Sequence, residues 1–164
     1  MTAEPAVTVV GAGNPLVGDD GVGEAIAARL AELSLPPGAR VRVAGGDPLI
    51  VLEELEAGRK VLLVDAAQFD GEPGSVRFVR LDRPGWPEPA AALSLHGFDL
   101  ATVFQLGRAL DLPLRNAWVM AVRPATIEAG RGLSPALTRV LPRLVAGAHR
   151  ATLRMLSGLA PGGE

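Results

Sequence analysis

Residues 7–26, VTVVGAGNPLVGDDGVGEAI, begin with an apolar run, continue through a glycine-rich loop and end in an amphipathic segment. The apolar run predicts a buried strand over residues 6–10 that ends at Gly11. The amphipathic segment predicts a helix over residues 20–33, because apolar side chains recur there at helical spacing. A strand that passes through a glycine loop into a helix is typical of α/β proteins with a parallel sheet.

The rest of the chain continues this alternation. Further strands are predicted over residues 40–44, 60–65, 75–81 and 117–122, and further helices from Asp47-Pro48, over residues 98–110, and from Ser134-Pro135. Residues 66–74 are too few for a helical crossover, so strand 75–81 should pair antiparallel or not at all. The proline-rich segment 82–92 predicts a surface loop, and Pro142 should bend or interrupt the last helix. The order predicts one three-layer α/β domain over residues 1–164, with a mostly parallel sheet and a frayed tail from about 158.

Composition excludes several kinds of function. The 164 residues include no cysteine, which rules out disulfides, thiolate metal sites and a cysteine nucleophile. The net charge is −2 and the arginines are scattered, so no nucleic-acid partner is expected. Neither a signal peptide nor an apolar run of membrane-spanning length is visible, and we therefore expect a cytoplasmic protein without a membrane partner.

Three metal-ligand side chains fall where sites form in such folds. Asp20 lies in the glycine loop after the first strand, Asp65 ends the third strand, and His96 precedes the third helix. The carboxyl ends of parallel strands share one edge of the sheet, and His96 can reach that edge. Two carboxylates and one imidazole suit a borderline divalent cation such as Ni²⁺ or Zn²⁺. The helix dipole should lower the pKa of His96 and keep it neutral for coordination.

Structural roles remain open for each of these residues. Asp20 could stabilise the N-terminus of its helix, Asp65 could cap a turn, and His96 could be a surface or capping residue. Asp47 is interpreted as a helix cap. A metal site is indicated because Asp20, Asp65 and His96 are all predicted to lie at one edge of the sheet.

The glycine loop itself fits a nucleotide poorly. Gly11, Gly13 and Gly23 permit sharp turns and the close approach of a partner, as in a dinucleotide loop. However, Leu16 stands where the third glycine of the G-x-G-x-x-G motif belongs, and Asp19 and Asp20 would repel a pyrophosphate. The loop is better explained as a carboxylate-bearing site for a cation or a peptide.

The chain also resembles a known family, the endopeptidases that mature the large subunits of [NiFe]-hydrogenases. The matching segments are VVGAGNPLVGDDGVG at 9–23, GG at 45–46, VLLVDA at 61–66, SLHG at 94–97, PATIE at 124–128 and GLS at 132–134. The resemblance covers about residues 6–150, and its first segment, with the later Asp and S-x-H, is quite specific.

The resemblance implies a three-layer α/β/α sandwich with a five-stranded mixed sheet and one antiparallel edge strand, for which SVRFVRL fits. It implies an enzyme that removes a short C-terminal peptide from the large-subunit precursor after nickel insertion. The family's nickel-recognising residues map onto Asp20, Asp65 and His96. The nickel would arrive on the precursor's cysteines rather than stay bound, with Zn²⁺ or Cd²⁺ as possible surrogates. The residues that support this site are Gly11, Gly13, Asn14, Asp19, Gly23 and Asp47.

One departure from the family concerns hydrolysis. Relatives often carry an acid directly before the GG pair, where this chain has Ala44, and Asp47 follows the pair instead. A role for that acid in hydrolysis is therefore either missing from this chain or has moved to Asp47. The hydrolytic scheme has the nickel, or a water held by Asp20, activated for attack on the scissile carbonyl. Two alternatives stay open at this point: a metal-binding assembly factor that cuts nothing, and a nucleotide-binding enzyme.

Overall fold

The computed structural model describes residues 4–83, 88–89 and 100–163. His96, most of the proline-rich segment 82–92 and the predicted start of the third helix lie outside these residues. In the described part of the chain, no helix is both long and apolar enough to cross a membrane.

The described residues form six strands and four α-helices. The strands are β1 (Val7–Gly11), β2 (Ala39–Val43), β3 (Lys60–Gln68), β4 (Val76–Arg80), β5 (Glu88–Pro89) and β6 (Ala117–Val122). The helices are α1 (Val22–Glu32), α2 (Leu49–Glu56), α3 (Leu100–Ala109) and α4 (Pro135–Leu156), with short 3-10 helices at Gly18–Gly21 and Leu114–Asn116.

The sheet has the strand order β2-β1-β3-β6-β4. The first four of these strands are parallel, and β4 pairs antiparallel with β6 at one edge. The predicted five-stranded, mostly parallel sheet with an antiparallel edge strand is thus confirmed. The two-residue β5 pairs antiparallel with the end of β3, inside the segment for which a loop was predicted.

Helices cover both faces of the sheet. Helices α1 and α4 pack on the face that presents Leu62, Val64 and Met120. Helices α2 and α3 pack on the opposite face, which presents Leu63 and its neighbours. Because side chains alternate along a strand, Asp65 lies on the α2/α3 face, the same face as Leu63.

Some element boundaries differ from the predictions. Strand β3 continues past Asp65 to Gln68, because β6 and β5 give its last residues pairing partners. Helix α1 begins at Val22, so Asp20 lies in the preceding 3-10 turn. Helix α4 runs through Pro142 without a break, so of the predicted bend or interruption the interruption does not occur. The tail, for which fraying was expected, is held by Arg154, whose Nε donates to the carbonyl of Ala160 at 2.7 Å.

A buried carboxylate joins α2 to the edge strand β2. Glu54 is 1% exposed and accepts hydrogen bonds from Thr8 Oγ1 at 2.5 Å, from Arg42 at 2.7 Å and from Arg40. Burial alone raises the pKa of Glu54, but the hydrogen bonds of Thr8 and the two arginines outweigh it, so the pKa lies below its usual value. The sequence analysis missed this cluster, although the alternating RVRV of β2 places both arginines on one face of the strand.

Candidate functional site

Two glycines bring α1 close to the carboxyl ends of β1 and β3. A Cβ on Gly23 would lie 2.2 Å from the carbonyl oxygens of both Ala12 and Val64. A Cβ on Gly11 would lie 2.5 Å from the Gly23 carbonyl oxygen. Only glycine therefore permits this contact between helix and strands, which fixes where the loop after β1 must fold.

Gly13 places the loop against Asp65. Its φ of +114° is a left-handed value, and a Cβ there would lie 1.8 Å from the carbonyl oxygen of Asp20 and 3.6 Å from Asp65 Oδ1. The space that these glycines provide is occupied by the chain's own backbone. This arrangement argues against the nucleotide alternative, because an anion would need that space and those N–H groups.

Asp20 is buried at this edge with one main-chain donor. Its side chain is 3% exposed, and Oδ2 accepts a hydrogen bond from the Asn14 N–H at 2.9 Å. Burial raises the pKa of Asp20, and the Asn14 N–H opposes that rise only in part. Asn14 in turn shapes the loop, since its Oδ1 accepts from the Leu16 N–H at 2.9 Å.

Asp65 is the more strongly perturbed of the two acids. It is 4% exposed, and its Oδ1 accepts a hydrogen bond from the Ala66 N–H at 2.8 Å. Burial, and then the negative charge of Asp20, raise the pKa of Asp65 well above its usual value. Each of the two buried carboxylates accepts only one main-chain hydrogen bond, and their negative charges repel each other. A bound cation would stabilise both in their ionised form.

No third ligand is present within the described ranges, where no group of three or more His, Cys, Asp or Glu side chains could hold a metal. His96, the predicted third ligand, lies outside them. The structure thus brings Asp20 and Asp65 to one edge of the sheet, and the three-residue metal site remains a prediction.

Asp19 has a role that the sequence analysis did not find. Its carboxylate is fully buried and accepts hydrogen bonds from the N–H groups of Ala125, Thr126 and Ser134 at 2.8, 3.1 and 2.7 Å. The Ser134 hydroxyl donates a fourth, at 2.8 Å. Asp19 therefore ties the glycine loop to the segment between β6 and α4. The residues Ser134-Pro135 predicted the start of a helix, but no neighbouring residue in the sequence indicated that Ser134 would bind Asp19.

Asp47 matches its interpretation as a cap. It is exposed, and its Oδ1 accepts from the Leu49 N–H, at the first residue of α2, at 2.9 Å. Asp47 follows β2, and β1 lies between β2 and β3 in the sheet. Ala44, which stands in place of the family's acid, is buried. These contacts give Asp47 a structural function in α2.

Comparison with known proteins gives a consistent family match. The model of the hydrogenase maturation protease family matches residues 25–151. A candidate hydrogenase maturation protease of Methanocaldococcus jannaschii is 37% identical over 78 residues, which are 46% of this chain and 51% of that protein. The hydrogenase expression/formation protein HupD of Rhodobacter capsulatus is 28% identical over 146 residues, 88% of this chain and 70% of that protein. The chain spans about half the length of the first of these relatives.

Solved structures share the fold. The hydrogenase maturating endopeptidase HybD of Escherichia coli superposes with a TM-score of 0.69 at 22% identity, covering 91% of this chain and 92% of that one. The [NiFe]-hydrogenase maturation protease HybD of Thermococcus kodakarensis gives 0.67 at 23% identity, covering 89% and 98%. At these identities the likeness establishes the three-layer α/β fold.

Proposed function

The chain belongs to the hydrogenase maturation protease family, and we propose that it is an endopeptidase that removes the C-terminal peptide of a nickel-loaded [NiFe]-hydrogenase large-subunit precursor. The observation that carries this proposal is the buried pair Asp20 and Asp65 at the carboxyl edge of the sheet. Both acids have raised pKa values and lack a cationic partner among the described residues. Such a pair favours a divalent cation.

The nickel belongs to the substrate. This chain has no cysteine with which to hold nickel through thiolates, so the thiolate ligands come from the precursor. Asp20, Asp65 and His96 then complete the coordination of the incoming ion. Only a nickel-loaded precursor offers this handle, which makes cleavage a checkpoint for metal insertion.

Hydrolysis needs a water and a place for its proton. Asp20 accepts the proton of a water, which adds to the scissile carbonyl carbon; the C–N bond then breaks and the leaving amine takes up a proton. Burial raises the pKa of Asp20 above its usual value, which makes its carboxylate a better proton acceptor than an exposed aspartate.

Mass spectrometry of the precursor tests this function. Wild type should release the C-terminal peptide from the nickel-loaded precursor and leave the nickel-free precursor intact. Asp20→Asn and His96→Ala should lose most of this activity. The matched control, Asp70→Asn, removes an exposed carboxylate outside the predicted site and should cleave normally. Normal cleavage by Asp20→Asn would contradict the assigned role. An unchanged precursor mass with retained binding would favour the non-proteolytic assembly factor.

A further inference from the structure

A groove on the α4 side of the sheet is separate from the Asp20 and Asp65 site. It lies between β4 and α4 and has a volume of about 650 Å³, within the range of ligand-binding clefts. Its apolar floor includes Val76, Phe78 and Met120, and the tail around Gly162 forms one side. We call this the β4–α4 groove.

The wall of the groove is cationic. Arg143, Arg150 and Arg154 of α4 line it, and no Asp or Glu among the described residues does. Arg154 is engaged with the tail carbonyls of Ala160 and Gly162. Arg143 makes one long bond of 3.4 Å to the Gly74 carbonyl, and Arg150 makes no hydrogen bond or ion pair within the described part of the chain. Two guanidinium groups are therefore available to an acidic ligand.

The floor of the groove includes an open sheet edge. β4 ends the strand order, and across the described ranges no strand pairs with its outer side. Its main-chain N–H and C=O groups on that side can accept a further strand, which is a common way for a protein to bind an extended peptide.

One end of the groove lies near the carboxyl edge of the sheet, on the face opposite that of Asp65. Val76, in its floor, pairs with Val122, which pairs with Ala66, the neighbour of Asp65. Two strand spacings separate Val76 from Ala66, or roughly 10 Å. A segment added to the outer side of β4 lies one spacing further out, roughly 14 Å from Ala66, which an extended chain covers in about four to five residues.

We propose that the β4–α4 groove docks an extended acidic segment of the precursor, which adds to β4 as a strand and pairs its carboxylates with Arg143 and Arg150. This inference rests on the proposed function for the identity of the client. It assigns substrate selection to a surface that contains none of the proposed nickel ligands, so that an acidic segment is recognised independently of metal content.

Fluorescence anisotropy tests the groove without the precursor. A labelled peptide of alternating glutamate and valine should bind, and one of alternating lysine and valine should not. Arg143→Gln and Arg150→Gln should each weaken binding about tenfold, in line with the loss of one charge-assisted hydrogen bond. Arg139→Gln removes an exposed charge from the same helix outside the groove and is the control. Equal losses in Arg139→Gln and Arg150→Gln, or no binding by wild type, would overturn the proposal.

A second probe tests the strand geometry. N-methylation of all the glutamate and valine nitrogens removes every donor that could pair with β4 and should weaken binding at least tenfold. Unchanged affinity would overturn the strand addition.

Assays with the precursor separate this proposal from the proposed function. The Arg143→Gln/Arg150→Gln double variant should raise KM for the nickel-loaded precursor and leave kcat within about twofold. Cleavage with an unchanged KM would refute the groove and leave the proposed function intact. Precursor binding that depends on Arg143 and Arg150, without cleavage by wild type, would refute the proposed function and support the groove.

Discussion

Asp19 and Asp20 are neighbours in the chain, but their carboxylates meet opposite surroundings. Asp19 accepts four hydrogen bonds from residues 125–134, whereas Asp20 accepts one, from Asn14. A carboxylate whose acceptor positions are filled by donors stabilises the fold. One that is buried with few donors remains available to a cation.

Asp19→Asn should destabilise the protein by about 2–4 kcal/mol, because an amide group would face main-chain donors that are left unpaired. Urea unfolding measures the change, and amide hydrogen exchange at Ala125 and Thr126 should accelerate. Asp47→Asn is the matched control, since Asn caps a helix as well as Asp does. A loss below 0.5 kcal/mol in Asp19→Asn would contradict the structural role of its carboxylate.

Asp65→Asn should stabilise the protein at neutral pH. The folded pKa of Asp65 is raised, so the folded state binds more protons than the unfolded state, and its burial costs stability as the pH rises above the ordinary value near 4. Asn keeps an acceptor for the Ala66 N–H and carries no charge. The variant should match wild type at pH 3.5 and be about 1–2 kcal/mol more stable at pH 7.5.

Urea titrations at both pH values give this difference. Asp70→Asn, which removes a carboxylate from the surface, is the control. A variant less stable than wild type at pH 7.5 would mean that the Asp65 charge is stabilised by contacts other than those described.

At the scale of elements, the contact of α1 with β1 and β3 requires that residue 23 has no Cβ. Gly23→Ala would place a Cβ 2.2 Å from two main-chain oxygens, which cannot move without separating helix from sheet. We expect the free energy of unfolding to fall by at least about 2 kcal/mol.

Gly147→Ala in α4 is the control. A Cβ there meets nothing closer than 3.8 Å, and the variant should gain about 0.5–1 kcal/mol in stability from the higher helix propensity of alanine. Thermal unfolding of both variants checks the opposite signs. Similar effects in both would show that helix propensity, rather than the close approach, decides the result.

Local pattern predicted the elements better than their ends. The limits of β6 at residues 117–122 were found because its apolar run and flanking residues are local signals. The extension of β3 beyond Asp65 was missed, since it depends on pairing with residues far along the chain. The position of Asp20 and Asp65 at one sheet edge was predicted from the order of elements along the chain, because the carboxyl ends of parallel strands share one edge. The partners of Asp19 and Glu54 did not, because these hydrogen bonds join segments that no periodicity connects.

At the scale of the whole molecule, two buried carboxylates affect stability with opposite dependence on pH. Glu54 has a lowered pKa, so its contribution is present above its unfolded value and is lost as the pH falls through the folded value. Asp65 has a raised pKa and costs stability as the pH rises. Glu54 thus anchors the edge strand β2 with a stabilising charge, while the candidate site holds a destabilising one. A destabilising charge is expected in a site that binds a ligand from another protein, because function can retain residues that cost stability.

The two centres should act independently. Thr8, which binds Glu54, pairs with Val61, and Asp65 lies four residues further along β3, about 13 Å away. Glu54→Gln should lose about 1–3 kcal/mol at pH 7.5, because it removes the charge from the hydrogen bonds that the buried Glu54 accepts from the partly exposed Arg40 and Arg42. It should keep the decline in stability that Asp65 causes with rising pH. The free-energy changes of Glu54→Gln and Asp65→Asn should add to within about 0.5 kcal/mol in the double variant.

Urea unfolding of wild type, both single variants and the double variant between pH 3.5 and 8 gives the measurement. Additivity is the expected result, with the pH slopes of the two single variants displaced in opposite directions and the double variant between them. A coupling energy above about 1 kcal/mol would mean that β3 transmits strain between the two ends of the sheet. The same slope in all four proteins would mean that neither carboxylate carries the perturbed pKa on which this balance depends.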